Sequence, residues 1–256
     1  ATASIDPTGI VRVRFVPETW PTVSIVVPTR HNRANMGRFL ASLATTDYPH
    51  FDLTIVDNGG FSDENAQWYA DTTGDIATDI VWWTEQPFNY SRVNNVGAER
   101  SSGDVIVMLN DDTELVDPHW LSEMVGLLMR EGVGTVGAQL RQAEGLIQHA
   151  GVTVGPGGFA DNLFTGLKPG SNTLIGPTTW YRNTLAVTGA CVAIRRNEFV
   201  EVGGHDERFI LCGSDVVLGL DQVIRGRRNI VVPFDIVRHY ESLTRGSYVP
   251  PEDFYA

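Results

Sequence analysis

The chain has 256 residues, enough to bury a sizeable core in one large domain or in two small ones sharing a sheet. With 42% hydrophobic and 20% charged residues, disorder is not the expectation, and no stretch reaches the run of about 18 apolar residues that a membrane span needs. A net charge of −12, from 19 basic and 31 acidic side chains, argues against a non-specific nucleic-acid binder, because phosphate backbones are held by lysine and arginine.

Residues 1–20 read as an extension without an assigned role. Val23-Ser24-Ile25-Val26-Val27, closed by Pro28-Thr29, has the look of a strand buried on both faces. Met36, Phe39, Leu40 and Leu43 then recur at helical spacing and place an amphipathic helix. Residues 53–56 form a second buried strand, turned by Asp57-Asn58-Gly59-Gly60, and Ser62 caps a helix running through Trp68 and Tyr69. Residues 80–84 read as a third strand on which one of Trp82 and Trp83 faces the core. A Pro87-Phe88-Asn89-Tyr90 loop, a helix over 91–100 and a fourth strand over 105–109 follow. Asp117-Pro118 is an N-cap with a first-turn proline, opening a helix that carries Trp120, Leu121, Met124, Leu127 and Leu128 on one face.

From about Gly132, glycine-rich stretches surround strands such as 185–194, which reads as a second half of the same domain with long loops. Ser214 caps a late helix over 214–225, and 230–232 and 236–237 look like two closing strands. Strands alternating with helices predict an α/β fold with a mostly parallel central sheet and helices on both faces. Ligands in such sheets collect at the carboxyl ends of the strands, where the loops 28–32, 57–60 and 110–113 converge. Cys191 and Cys212 give no CxxC and no disulfide framework, which points to a reducing cytoplasm. The first ten residues carry neither a basic segment nor an apolar run and do not read as a secretory signal, and the lack of an opening methionine points to a piece of a longer chain.

The sharpest chemical feature is Asn110-Asp111-Asp112 at the end of the buried strand 105–109. Adjacent carboxylates repel unless a cation sits beside them, and oxygen ligands suit Mg²⁺ or Mn²⁺, whose shell substrate phosphates complete. The alternative is a solvated turn in which one aspartate caps the next segment.

The chain resembles a family 2 glycosyltransferase of the GT-A fold, in particular the bacterial polysaccharide-building branch of O-antigen and rhamnan type. The residues that carry the resemblance are the strand 23–27 with Pro28-Thr29-Arg30, Ile55-Val56-Asp57-Asn58-Gly59, and Pro87-Phe88-Asn89-Tyr90-Ser91 with Asn94-Asn95-Val96-Gly97. They continue through Leu109-Asn110-Asp111-Asp112-Thr113-Glu114, Ile147-Gln148-His149-Ala150-Gly151-Val152, Val187-Thr188-Gly189-Ala190-Cys191 and Val202-Gly203-Gly204-His205-Asp206-Glu207. His239-Tyr240-Glu241-Ser242 with Thr244-Arg245-Gly246 closes the series. The match runs in order from about residue 21 to 247, which sets the expected organisation. That is an extension over 1–20, one catalytic domain over 21–247 with a nucleotide-sugar half (21–113) and an acceptor half (114–247), and a tail over 248–256.

The resemblance implies a metal-dependent inverting transfer of a sugar, of hexosyl or deoxyhexosyl type, from a nucleotide-diphosphate donor to a hydroxyl of a glycan or lipid-linked glycan. It implies a cytoplasmic protein, in peripheral contact with the inner face of a membrane, and part of a longer multidomain chain. By the same resemblance Pro28, Thr29 and Arg30 border the nucleotide, Asp57 receives the base, Asn95 belongs to the donor site, and Asp111 lies near the ribose. Asp112 and His239 would bind Mn²⁺ or Mg²⁺, Arg245 would clamp the pyrophosphate, and Asp215 would be the general base. Asn110 stands where many members have aspartate, and Val217 where a carboxylate is often found.

Bland readings stand beside these. Asp57 is also a turn former, Asn95 can bond within its helix, Arg245 can be a solvated surface residue, and Asp215 suits a helix N-terminus. Trp180, Tyr181, Phe159 and Phe164 would stack on sugars or pack in the core. His149 has no assigned role, and Cys191 reads as a small buried hydrophobe. Two other functions compete: a non-catalytic nucleotide- or glycan-binding module of a larger synthase, and a sugar nucleotidyltransferase. The latter usually brings a glycine-rich loop after the first strand, whereas 28–35 has no glycine.

Overall fold

The computed structural model describes residues 1–5, 10–155 and 160–240. Two short strands, β1 (Thr2–Ile5) and β2 (Val11–Arg14), pair as an antiparallel hairpin, so the stretch expected to be an unassigned extension has a structure of its own. Arg12 reaches Glu123 and Asp117 at 3.0 and 2.9 Å and fixes the hairpin to the body.

The parallel part of the main sheet follows. It comprises β3 (Val23–Thr29), α1 (Arg33–Leu43), β4 (Phe51–Asp57), α2 (Asp63–Thr72), β5 (Thr78–Trp82), α3 (Tyr90–Arg100) and β6 (Val105–Leu109). β3 and β6 are buried along their whole length, which is why both read as unbroken apolar runs. β3 pairs in parallel with β4 and with β6, and β4 pairs in parallel with β5. Pro28 is tolerated in a central strand because pairing with β6 ends at Val26, leaving its missing N–H beyond that ladder. The third strand begins two residues earlier than expected; Trp82 packs on Tyr69 and Phe61, whereas the ring of Trp83 lies under the Arg92 guanidinium.

The remaining elements are β7 (Thr113–Leu115), α4 (Trp120–Leu128), β8 (Val133–Arg141), β9 (Ile147–His149), β10 (Val152–Val154), β11 (Ala160–Asn162), β12 (Arg182–Thr184), β13 (Cys191–Arg195), α5 (Arg196–Glu201), α6 (Ser214–Ile224) and β14 (Arg228–His239). The main sheet runs β12-β14-β8-β13-β6-β3-β4-β5. β13 joins the two halves by antiparallel pairing to β6 on one side and β8 on the other. The fold is thus α/β with a central sheet whose parallel block carries the first half of the chain.

Four boundaries correct the sequence reading. α4 starts at Trp120, because Asp117 holds His119 N–H through its side chain and Trp120 N–H through its carbonyl, a turn ahead of the helix. The stretch 185–194 is not one strand: 185–190 leaves the sheet between β12 and β13. Ser214 lies inside α6 and makes no capping bond; the N-cap is Gly213 at φ 99°, a conformation that glycine adopts without a Cβ clash. The two closing strands are one, β14, in which a register shift between Val232 and Val237 absorbs Pro233.

Helix α3 lies on β3 and β4 only because residue 97 has no side chain. A Cβ there would sit 2.3 Å from Val26 Cγ1 and 3.0 Å from Val56 Cγ2. With a clash as close as 2.3 Å, Gly97→Ala is expected to cost about 3 kcal/mol by overpacking, offset by about 1 kcal/mol of improved helix propensity, a net loss of about 2 kcal/mol. A thermal melt of that variant should show a midpoint at least a few degrees lower; an unchanged or raised midpoint would contradict the close packing of α3.

Candidate active site

The carboxyl ends of β3, β4 and β6 bring Thr29, Asp57 and Asn110 to one edge of the sheet, as the parallel strand order requires. Thr29 donates its hydroxyl to Asp111 Oδ2 at 2.7 Å, tying the first loop to the third. Pro28 is buried within β3, and Arg30 is exposed at the loop. Asp57 is fully buried. Its Oδ1 accepts the Gly59 N–H at 2.7 Å, and its Oδ2 accepts the Tyr69 hydroxyl at 2.7 Å and faces His31 Nδ1 at 3.0 Å. Three of the roughly four acceptor positions of the carboxylate are therefore occupied by the protein, and the turn-forming alternative is realised. Burial, followed by the bond to Asp57, raises the Tyr69 pKa well above the usual phenol range.

His31, which the sequence did not single out, has φ 57° and packs edge-on against Trp68 and Tyr69. Its placement explains Gly59, where a Cβ would meet Asp57 Oδ1 at 2.9 Å and His31 Cβ at 3.1 Å. Asn95 is committed elsewhere: its amide donates to His205 O at 2.9 Å and Glu207 Oε1 at 3.1 Å and accepts from His205 N at 2.8 Å. It bonds across the fold to the segment 205–207, not within its own helix.

The third loop meets the end of β14. Antiparallel pairing of β14 with β7 sets His239 opposite Thr113, and the Tyr240 N–H bonds Asp112 O at 2.9 Å. In that register His239 Nε2 lies 3.0 Å from Asp112 Oδ1, both side chains being nearly buried. On its other side, His239 Nδ1 faces Gln148 Oε1 at 2.9 Å. A neutral imidazole that gives its Nδ1 proton to Gln148 would present Nε2 as a second acceptor beside the carboxylate, whereas a proton on Nε2 makes the same contact a hydrogen bond to Asp112. Adjacent ligands in an octahedral shell with bonds of about 2.1 Å are about 3.0 Å apart, so the pair fits a hard divalent ion. Among the described residues no three His, Cys, Asp or Glu side chains form a metal-holding group.

Asp215 stands in the first turn of α6, with Oδ1 accepting the Val216 N–H at 2.8 Å and Oδ2 accepting the Gly189 N–H at 2.9 Å. Gly189 also lies against Tyr90, whose hydroxyl is 3.1 Å from Gly189 O and 2.8 Å from Asn110 Oδ1. One chain of contacts therefore runs from Asp215 to the Asn110-Asp111-Asp112 loop. Arg245 and Phe159 lie outside the described residues. Tyr181 bonds Glu123 Oε1 at 2.7 Å and packs on Phe234, a core role, whereas Trp180 is exposed and Phe164 lies under the Arg182 guanidinium. Cys191 is buried, and desolvation pushes its thiol up to about 12, consistent with an inert hydrophobe.

The sequence profile described as Glycosyl transferase family 2 matches residues 24–202. The chain belongs to this family. The O-antigen biosynthesis protein RfbC of Myxococcus xanthus is 41% identical over 247 residues, covering 95% of this chain and 19% of that protein. The uncharacterized protein y4gI of Sinorhizobium fredii is 38% identical over 240 residues, covering 92% of this chain and 26% of that protein. This family 2 chain thus spans a fifth to a quarter of the length of these two relatives. In fold it is similar to the mannosyltransferase PcManGT of Pyrobaculum calidifontis in complex with GDP-Man and Mn²⁺, with a TM-score of 0.64 at 19% identity over 92% of this chain and 61% of that one. It is also similar to GalNAc-T7 with UDP, GalNAc and Mn²⁺, with a TM-score of 0.68 at 17% identity over 91% of this chain and 46% of that one. Both likenesses place the chain in the GT-A fold. No helix among the described residues is long and apolar enough to cross a membrane.

His149, in a matched motif but without an assigned role, is a buried brace. Its Nε2 accepts N–H groups from Gly151 at 3.1 Å and Thr188 at 3.3 Å, while Nδ1 faces Asn162 Oδ1 at 2.7 Å. Desolvation lowers its pKa from 6.5 to about 4. The unfolded chain therefore takes up this proton below pH 6.5 and the native chain only near pH 4, so acid favours unfolding across that window. Buried His205, shifted down by desolvation, adds in the same direction. Denaturant titrations should show about 2 kcal/mol less stability at pH 5 than at pH 7 from His149. In His149→Gln the pH slope should be smaller; an identical slope would show that His149 is not the titrating group.

Proposed function

We propose that the chain is a metal-dependent inverting glycosyltransferase that moves a hexosyl or deoxyhexosyl group from a nucleoside-diphosphate sugar to a hydroxyl of a glycan. The observation that carries this reading is the 3.0 Å approach of His239 Nε2 to Asp112 Oδ1 at the carboxyl edge of the sheet. These two residues would hold Mn²⁺ or Mg²⁺, which when bound neutralises charge on a diphosphate. Asp111, held by Thr29, would receive the ribose. Pro28 and Arg30 would border the nucleotide, and Asp57 with His31 would form the wall beneath the base. The resemblance adds Arg245 as a clamp on the diphosphate. Asn95 would serve the donor site indirectly, by holding the segment 205–207.

In the reaction the acceptor oxygen forms a bond to the anomeric carbon as the bond from that carbon to the diphosphate oxygen breaks. The acceptor proton passes to the carboxylate of Asp215, and the electron pair leaves with the diphosphate. Two backbone N–H bonds hold Asp215 and fix where its remaining lone pairs point. The kinship with an O-antigen biosynthesis protein supports a glycan or lipid-linked glycan acceptor, met from the cytoplasmic side of a membrane by a domain of a longer chain.

Calorimetry with UDP, dTDP and GDP sugars in Mn²⁺ and Mg²⁺ would identify the donor. With that donor, Asp112→Ala should lower turnover on the order of a hundredfold or more, measured as nucleoside diphosphate release. Undiminished turnover in that variant or in excess chelator would count heavily against the scheme. Asp215→Asn should leave donor affinity intact while transfer collapses; lost donor affinity would move the residue to the donor site.

A further inference from the structure

Residues 162–197 carry no acidic side chain, a run of 36 in a protein with 31 acidic residues and a net charge of −12. The run holds Lys168, the only lysine of the sequence, and a tight turn at 173–176. Thr173 and Gly176 exchange N–H···O bonds at 3.3 and 3.1 Å, which leaves Leu174 and Ile175 as the two central residues. Such positions ordinarily take glycine, asparagine or aspartate. Here Leu174 is fully exposed and Ile175 more than half exposed. So is Trp180, whose ring fills the space beside Gly176, where a Cβ would meet it at 2.7 Å.

The turn is firmly built. The Ile175 N–H bonds the Thr173 hydroxyl oxygen at 3.3 Å, and that hydroxyl donates to Gly176 O at 2.6 Å. Arg182 closes the other side: its guanidinium donates to Ile175 O at 2.9 Å and Pro177 O at 2.8 Å, and lies 4.8 Å from the centroid of the Phe164 ring. The N–H and C=O groups of Thr173, Ile175 and Gly176 are thus all bonded within the segment. An apolar tip whose peptide groups are already satisfied can leave water without forfeiting hydrogen bonds, which is the condition that hydrocarbon sets. A protein partner fits less well, because two side chains on a projecting turn and one indole fall well short of the roughly 800 Å² per side of a stable interface. Tryptophan favours the membrane–water boundary, and a lysine in an acid-free stretch suits anionic head groups.

We propose that the turn 173–176, with Trp180 and Lys168, is a membrane-contacting surface: Leu174 and Ile175 enter the acyl layer of an anionic bilayer, and Trp180 and Lys168 lie among its head groups. The loop is rooted beside the proposed active site. The Thr165 hydroxyl donates to Gln148 O at 3.1 Å, and Gln148 Oε1 faces His239 Nδ1. Contact through the tip would hold that edge of the sheet next to the lipid surface from which a lipid-linked acceptor presents its sugar. The surface goes beyond the proposed transfer reaction and rests on it only for what the membrane presents.

Flotation with vesicles of phosphatidylethanolamine and phosphatidylglycerol, without donor or metal, tests the surface independently of transfer. The wild-type chain should bind. Leu174→Ser/Ile175→Ser should bind about tenfold more weakly or worse, because both side chains lose their transfer from water. Lys168→Gln should weaken binding by up to about fivefold. Ile224→Ser, at a comparably exposed apolar position at the end of α6, should bind as wild type. All variants are checked for native circular dichroism. No flotation of the wild-type chain, undiminished binding in the double variant, or an equal loss in Ile224→Ser would overturn the surface and leave the transfer reaction standing. Unchanged binding in Lys168→Gln would overturn the part assigned to the lysine. A wild-type dimer in analytical ultracentrifugation that the double variant dissolves, with no vesicle binding, would overturn the surface by assigning the turn to a protein contact. Normal flotation of a chain that releases no nucleoside diphosphate would uphold the surface and sink the transfer reading alone.

Discussion

An imidazole nitrogen and a carboxylate oxygen held 3.0 Å apart, with Gln148 on the far side of the ring, form the contact on which the rest of the site depends. They are kept together by backbone pairing: β14 lies against β7 in a register that leaves His239 beside the Asn110-Asp111-Asp112 loop, and the next residue bonds that loop through its own N–H. The sheet thereby gathers a carboxylate and an imidazole at one edge of a chain that is strongly acidic overall. Under the proposed function, a cation held there would let a diphosphate approach this edge.

The molecule is made of two differently built halves. The first is parallel and delivers loops to one edge, as α/β sheets do. The second is grafted on through the antiparallel strand β13, and its register with β6 sets Cys191 opposite Leu109. That register brings the Gly189-Ala190 segment beside Asn110, whose N–H bonds Ala190 O at 3.2 Å. The junction of the halves is therefore also the place where the proposed donor and acceptor functions meet.

Much of this was legible in the sequence, and the rest was hidden for physical reasons. β3, β4 and β6 are buried on both faces, and burial on both faces writes itself as a run of valine, isoleucine and leucine. The Asn110-Asp111-Asp112 triplet could be picked out because adjacent carboxylates after such a run need an explanation. His239 was reachable only through resemblance, since its partner lies in another strand and no local pattern encodes an antiparallel register. β14 was cut in two at Pro233 because proline lacks an N–H, and the bulge that accommodates it leaves no local signature. The stretch 185–190 has the composition of a strand but leaves the sheet, and its Gly189 peptide bonds Asp215 and Tyr90. Tyr90, Gln148 and His31 went unassigned because their importance lies in what they orient.

The amino-terminal hairpin has a consequence for how the unit can be cut. Glu123 is almost wholly enclosed, and the groups that satisfy it arrive from two directions: Arg12 and Arg14 from the hairpin, Tyr181 from the segment before β12. A shortened version beginning at the first long strand would strip away both guanidinium groups and strand an anion in an apolar interior. The smallest self-sufficient piece of this protein consequently reaches further upstream than its matched motifs do, and a trimming strategy guided by those motifs alone would remove a structural counter-ion.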